Sequence, residues 1–312
     1  MSLQFTIEYP LERHGYVAEF RQPGNLARVV HAAEEAGFGA IAFSEHPAPS
    51  RKWLESGGHH TFDSVAALGF CAAASTRLRL ITNLLVLPYR NPWLNAKAMA
   101  TLDQLSAGRL IAIAGTGYLK SEFAALGVDF EERNALFDEA VELITRAWSG
   151  EPVTFEGRHF TAREQQLQPP PVQPHVPLWI GGNSKLSRRR VAKYGYGWAP
   201  MLGRGGPANS ALRTAALNSV DELAAAIDEV HADLRRNNRD IETIDVQVEA
   251  PGETAAGGVP ELGRHLDELG ALAEAGVTWS LVHLPGASVE AALDAIRHYG
   301  EQVISVFDAE GR

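Results

Sequence analysis

Apolar and polar positions along the chain recur in a strand-then-helix rhythm. Residues 3–9 alternate as a strand does, and "PGNLARVVHAAEEAGFG" then sets Leu26, Val29, Val30 and Ala33 at helical spacing and stops at Gly37, a residue suited to the left-handed position after a helix. "AIAFSEH" follows, apolar on both faces, as suits a parallel strand covered by helices. The alternation repeats with a helix over 64–75, the strand "LRLITNLLVL", a helix opened by Asn91-Pro92, the strand "RLIAIAG", and a helix over 131–148 with Leu136, Ala140, Ile144 and Trp148 on one stripe. The stretch 151–177 breaks the rhythm with a hairpin-like "VTFEGRHF" and a proline cluster, then "LWIGGN" resumes the strands. A helix over 184–194, "GWAPM", a helix opened by the capping box Ser219-x-x-Glu222, "IDVQVEA", a helix over 261–275, "WSLVHL" and a helix from Ser288 complete the pattern. Eight strands alternating with helices, in a chain of 312 residues, predict an α/β fold of the (β/α)8 TIM-barrel type. One domain spans 1–312, with an insertion at about 151–177 before the fifth strand.

In such a barrel the working residues stand just after the strands. Periodicity alone therefore nominates Glu8, Glu45, His46, Asn83, Gly115 to Tyr118, Gly181 to Asn183, Met201, Glu249 and His283. His46 offers an imidazole for proton exchange near neutral pH, or a packing histidine; Pro47 after it disfavours helix. Asn83 interrupts an apolar strand, where its amide addresses a ligand or satisfies a bulge. Gly115-Thr116-Gly117 is not a dinucleotide fingerprint, because position 120 is Lys and the segment is the fourth strand unit. It is either a plain turn or a place where backbone approaches a flat ring or a phosphate. In "IGGNSKLSRRRVAKYG", Lys185, Arg188 and Arg189 share one face near a helix start, where cations oppose the helix dipole by about 0.3–1 kcal/mol each. That arrangement suggests an anion on the N–H groups near Gly181, Gly182 and Asn183, with a solvated basic face as the alternative.

Charge and composition narrow the partners. Asp plus Glu number 38 against 28 Lys plus Arg, a net charge of −10, which disfavours nucleic acid. The single cysteine, Cys71, reads as a packing residue; His59 and His60 read as surface residues on a glycine loop. No His-x-His follows the first strand and no other ligand spacing appears, so no metal is expected. No long apolar run or leader is visible, and the expectation is a cytoplasmic protein that does not engage a membrane. The loops "GRGGPANS" and "APGETAAGGVP" are candidate lids over the mouth.

Several blocks in order resemble the bacterial luciferase-like superfamily of flavin and deazaflavin oxidoreductases: "AEEAGFGAIAFSEHP", "STRLRLITNLLVLPYRNPWLNAKAMATLDQLSAGRL", "GTGYLKSEFAALGVDFEERNALFDEAVELITRAW", "FEGRHF" and "PLWIGGNS…VAKYGYGW". The resemblance covers residues of about 26–201; the last hundred match only as barrel pattern. It implies a barrel holding an isoalloxazine or deazaisoalloxazine ring in its mouth, with His46 beside the reactive centre and Glu45 next to it. It implies a bulge, often with a non-prolyl cis peptide, around Asn83-Leu84-Leu85. It implies a cofactor phosphate held by backbone groups of Gly181, Gly182 and Asn183 near Lys185, and Gly115, Gly117 and Tyr118 over the ring or ribityl side. The implied activity is hydride transfer with coenzyme F420 to or from a small organic substrate. A monooxygenase using reduced FMN and oxygen, fed by a separate flavin reductase, is the alternative, and a non-catalytic flavin-binding barrel a third. A homodimer is implied by the same analogy. Some deazaflavin dehydrogenases of the family carry an acid where this chain has Tyr118, which counts against a sugar-phosphate activity dependent on that acid.

Overall fold

A computed structural model describes residues 3–310 apart from 14, 204–214, 241–243, 253 and 256. Its strands are β1 (Gln4–Glu8), β2 (Ala40–Phe43), β3 (Arg79–Val86), β4 (Leu110–Gly115), β5 (Val153–Glu156), β6 (Thr161–Gln165), β7 (Leu178–Gly181), β8 (Gly197–Ala199), β9 (Asp245–Glu249) and β10 (Trp279–His283). Eight of them close a parallel barrel in chain order, β10 pairing back onto β1, while β5 and β6 form a separate antiparallel hairpin. This is the (β/α)8 barrel expected, with the excursion inserted before its fifth strand. The candidate lid "GRGGPANS" lies almost wholly outside the described residues, and two residues of "APGETAAGGVP" do as well.

The helices are α1 (Pro23–Glu35), α2 (Arg51–Glu55), α3 (Ser64–Ala74), α4 (Pro92–Leu105), α5 (Lys120–Ala125), α6 (Arg133–Ala147), α7 (Lys185–Tyr194), α8 (Val220–Arg236), α9 (Leu262–Glu274), α10 (Val289–Tyr299) and α11 (Ser305–Glu310). Their starts follow side-chain chemistry: Asp63, Asn91, Ser184, Ser219 and Ser288 each accept a hydrogen bond from a first-turn N–H. On α1 the buried residues are Leu26, Val29, Val30 and Ala33, as the spacing predicts. On α6 the inward face is Phe137, Ala140, Val141, Ile144 and Ala147, one position round from the expected stripe, and Leu136 is only half-buried. The short α2 carries too few turns for a periodic signal, while α5 is the charged helix start that follows the Gly115-Thr116-Gly117 turn.

The insertion is pinned rather than loose. Glu139 on α6 accepts the backbone N–H groups of Arg158, His159 and Phe160 at 2.9, 2.9 and 3.2 Å. Asp103 on α4 accepts those of Val172 and Gln173 at 2.8 and 3.0 Å, which ties the proline-rich stretch to the barrel wall. Inside the barrel, Ala40, Ala42, Ile81, Ile111, Ile113, Leu281 and the edge-packed pair Trp179 and Trp279 fill the cylinder. Each large side chain buried this way contributes about 1.5–3 kcal/mol. The interior is a packed core and not a pore, so chemistry belongs at the strand ends above it. At the opposite, N-terminal end a cavity of about 750 Å³ lies between Gln4, Arg79, Asp245 and Trp279. Cys71 is fully buried on α3, and burial pushes its thiol up to about 12, which makes it a packing residue.

Candidate active site

The two residues expected to act together after β2 point to different tasks. Glu45 is buried and bridges strands: its Oε2 accepts the Val86 N–H at 2.5 Å and its Oε1 pairs with Arg90 at 2.5 Å. Burial pushes its carboxyl up to about 7, against the pull of Arg90 and of the Val86 N–H. Glu45 is thus a clamp between β2 and the end of β3. His46 takes the other direction. Its Nδ1 lies 3.1 Å from Oε2 of Glu122, a carboxylate on α5 with no exposed surface. Tyr89 donates its hydroxyl to the same oxygen at 3.0 Å, and the Ala48 N–H donates to Oε1 at 3.1 Å. The His46 ring is walled by Trp53, His59 and Tyr118, with ring centroids 4.5, 5.0 and 5.9 Å away.

His59 corrects the sequence reading. It is half-buried, its Nε2 is 3.1 Å from the Ser44 hydroxyl, and it packs on both His46 and Trp53, whereas His60 is exposed. Glu122 and Tyr89 escaped the sequence reading altogether. Nothing in a linear pattern links position 46 to position 122, and α5 is too short to show a face.

On β3 the Asn83-Leu84 peptide is cis, and the register against β4 shifts between Thr82 and Leu85, so the bulge lies within the stretch the family resemblance implies. Asn83 Nδ2 reaches Glu8 Oε1 at 3.5 Å. Leu84 turns its side chain across the barrel mouth. A Cβ built on Gly115 would stand 2.6 Å from Leu84 Cδ1, and one on Gly181 would stand 2.4 Å from Leu84 Cδ2. Gly117, at φ +74°, would bring a Cβ within 2.7 Å of Val86. Gly115 and Gly117 are expected to make room for a ligand and Gly181 to bring backbone N–H groups toward an anion; the space beside each of the three is filled by Leu84 or Val86. Gly181→Ala is therefore expected to destabilise the fold by about 1–3 kcal/mol through overpacking, and Leu84→Ala in the same chain to restore most of it. Chemical denaturation of Gly181→Ala, Leu84→Ala and the double variant checks this, and equal loss in the double variant counts against Leu84 as the neighbour.

The start of α7 is built for an anion by its backbone more than by its side chains. The Lys185 and Leu186 N–H groups have no acceptor within the helix, the first turn holds no acid, and Lys185 is exposed beside them. Gly182 sits at φ +97°. The Asn183 side chain is committed elsewhere: it donates to the carbonyls of Met201 and Ala215 and accepts the Met201 N–H, all at 2.8 Å. Arg188 folds back to the Asn183 carbonyl at 2.7 Å and to Glu229 at 2.8 Å, so of the basic face only Lys185 and Arg189 remain exposed.

Across the mouth, Glu8 on β1 and His283 on β10 meet at 2.7 Å, and Glu249 on β9 lies 3.4 Å from the other ring nitrogen of His283. Burial acts to raise the Glu8 carboxyl, but the charge and hydrogen bond of His283 outweigh it and hold it at about 2. Burial acts to lower His283, yet Glu8 and Glu249 hold it up to about 10. Behind them Glu12 is pushed well up by burial and by Glu8, although it accepts the Ser44 N–H at 2.7 Å and the Thr61 hydroxyl at 2.8 Å. Among the described residues no group of three His, Cys, Asp or Glu is placed to hold a metal ion, and no helix is long and apolar enough to cross a membrane.

Comparison with known proteins places this geometry. The sequence profile of the luciferase-like monooxygenases matches residues 5–252. Among curated relatives, the F420-dependent glucose-6-phosphate dehydrogenase of Beutenbergia cavernae is 34% identical over 228 residues, covering 71% of this chain and 65% of the relative. That of Kineococcus radiotolerans is 36% identical over 197 residues, covering 61% and 57%. The chain thus spans somewhat under two thirds of these relatives' length. Among solved structures, an F420-dependent secondary alcohol dehydrogenase in complex with an F420-acetone adduct superposes with a TM-score of 0.76 at 18% identity, covering 98% of this chain and 99% of the other. A long-chain alkane monooxygenase superposes with a TM-score of 0.79 at 14% identity, covering 100% and 92%. At such identities these structures speak for the barrel alone. By the profile match, and with the cis bulge in the third strand and the histidine after the second in place, the chain belongs to the luciferase-like monooxygenase family.

Proposed function

We propose that the protein is an oxidoreductase that uses coenzyme F420 to pass hydride to or from a small organic substrate, working as a single barrel domain and as a cytoplasmic homodimer. The observation that carries this reading is His46, held at the barrel mouth by the buried Glu122, across from a helix start whose first N–H groups have no acceptor within the helix. The F420-dependent activity of the relatives supports it.

The residues present fit such a cofactor. Leu84, on the cis bulge and half-exposed, offers an apolar seat for a flat ring, with Asn83, Gly115, Gly117 and Tyr118 around it. Gly181 and Gly182 shape the turn into α7, and the Lys185 and Leu186 N–H groups with the Lys185 ammonium suit a phosphate tail, while Asn183 braces that turn through its side chain. F420, when bound, supplies two-electron hydride chemistry. This chain's residues do the rest. Glu122 keeps the proton of His46 on Nδ1, so Nε2 takes the proton a substrate hydroxyl releases on oxidation, or returns it to a carbonyl oxygen on reduction. Trp53 and His59 pack against the His46 ring and limit its access to water. Glu45 supports the constellation by locking β2 to β3. A sugar-phosphate oxidation that requires an acid at position 118 is not part of the proposal.

The second reading is an FMN-dependent monooxygenase served by a separate flavin reductase; it is favoured by the alkane monooxygenase likeness in fold. Titration of the purified protein with F420 and, separately, with FMN, followed by fluorescence quenching, decides between them. Micromolar or tighter binding of F420 with much weaker binding of FMN is expected. The reverse order supports the second reading, binding of both without turnover supports a non-catalytic barrel, and binding of neither removes the cofactor reading.

A further inference from the structure

The turn that leaves β3, Leu87 to Tyr89, ends on a buried phenol. The Tyr89 ring packs edge to face on Phe123 at 4.8 Å, in an apolar cluster with Val86 and Phe130, where a phenylalanine would serve packing equally well. The hydroxyl has another task. It donates at 3.0 Å to Oε2 of Glu122, the same oxygen that lies 3.1 Å from Nδ1 of His46, while the Ala48 N–H takes Oε1 at 3.1 Å. Two donors thus draw on one oxygen of a carboxylate with no exposed surface. Burial first, and then the Glu122 charge, hold the phenol above its ordinary range, so it remains a donor at neutral pH.

We infer that Tyr89 is a positioning residue that sets how strongly His46 holds a proton, by sharing the Glu122 oxygen to which His46 is bonded. The inference deepens the proposed oxidoreductase function and rests on it for the use made of that proton. A carboxylate beside an imidazole favours the charged ring, and a phenol donating to the same oxygen takes up part of that attraction. In a buried site water does not make up the difference. Without the hydroxyl, His46 keeps its second proton to higher pH, and a ring that is already charged cannot accept the proton of a substrate hydroxyl. The other titratable and charged groups at this site are His59 and Tyr118, in ring contact with His46, and Glu45, close enough for the Glu122 charge to reach it and bridged by Arg90. Tyr89→Phe leaves all of them in the chain and takes away one hydroxyl.

The test is a pH titration of the nitrogen-15-labelled histidines of the full chain, with the His46 signals assigned by their absence from His46→Gln. In Tyr89→Phe the pH at which the His46 ring takes up its second proton is expected to rise by about one unit, a tenfold gain in proton affinity. Phe130→Leu is the control for packing. It loosens the same apolar cluster and keeps the hydroxyl, so it is expected to lower the urea midpoint and leave the titration in place. 3-Fluorotyrosine at position 89, a stronger donor in nearly the same ring, is expected to move the titration the other way, and it carries the test if Tyr89→Phe does not fold. A titration unmoved or lowered in Tyr89→Phe, unmoved by the fluorotyrosine, or raised as much by Phe130→Leu overturns the inference. None of these measurements needs a cofactor. Failure of the wild-type protein to bind F420 is therefore a separate result, which removes the cofactor reading while the titrations still judge Tyr89.

Discussion

Replacing Glu122 by glutamine is expected to lower turnover about 10²–10⁴-fold, the range spanned by a misplaced general acid or base, with cofactor affinity unchanged. Glutamine has nearly the shape of glutamate, so the buried space stays filled. What changes is the proton. A carboxylate only accepts, and it accepts from Tyr89, from the Ala48 N–H and from Nδ1 of His46, which in the neutral ring leaves Nε2 as the acceptor. The glutamine amide must turn either its oxygen or its NH2 group toward His46, and with two competing donors already at the site the NH2 orientation moves the imidazole proton to Nε2. His46 then faces substrate with the wrong tautomer. Nitrogen-15 signals of the imidazole report that shift directly. Glu122→Ala should in addition destabilise the fold, because each buried donor left unpaired costs about 1–3 kcal/mol. An E122Q protein with wild-type turnover would falsify the assignment of His46 as the group that moves the proton.

Replacing His283 by glutamine is expected to destabilise the protein by about 3 kcal/mol near pH 6, because it leaves Glu8 and Glu249 facing each other in a mostly buried site. The same substitution should change the shape of the pH dependence. His283 is held at about 10 against an ordinary 6.5, so its contribution is complete below about pH 6.5 and is lost as pH rises through 10. Glu8 is held at about 2 against an ordinary 4.5, so its contribution is complete above about pH 4.5 and is lost as pH falls through 2. The pair therefore contributes fully between about pH 4.5 and 6.5, and wild-type stability should decline toward pH 9 more steeply than that of the variant. Urea denaturation of both proteins at about pH 6 and about pH 9 measures this. Parallel declines would show that the interaction of His283 with Glu8 on the neighbouring strand is not what responds to alkali.

Which residues form strands and helices was determined locally, and the sequence carried it. Alternation of apolar positions, helix caps such as Asn91 and Ser219, and the proline cluster at 169–171 act over a few residues, so barrel and insertion are legible in the sequence. Strand ends follow from strands, which is why His46, Asn83 and His283 were already in view. The use each residue is put to was decided by tertiary structure alone. Glu45 and His46 are neighbours in the chain, yet successive residues of an extended segment point to opposite sides, and one became a clamp while the other reached Glu122. Gly115 reads as room for a ligand, yet Leu84, from the neighbouring strand β3, occupies the space beside it. Pairings such as His46 with Glu122 and Glu8 with His283 join positions 76 and 275 residues apart, and only closure of the barrel brings such groups within hydrogen-bonding distance.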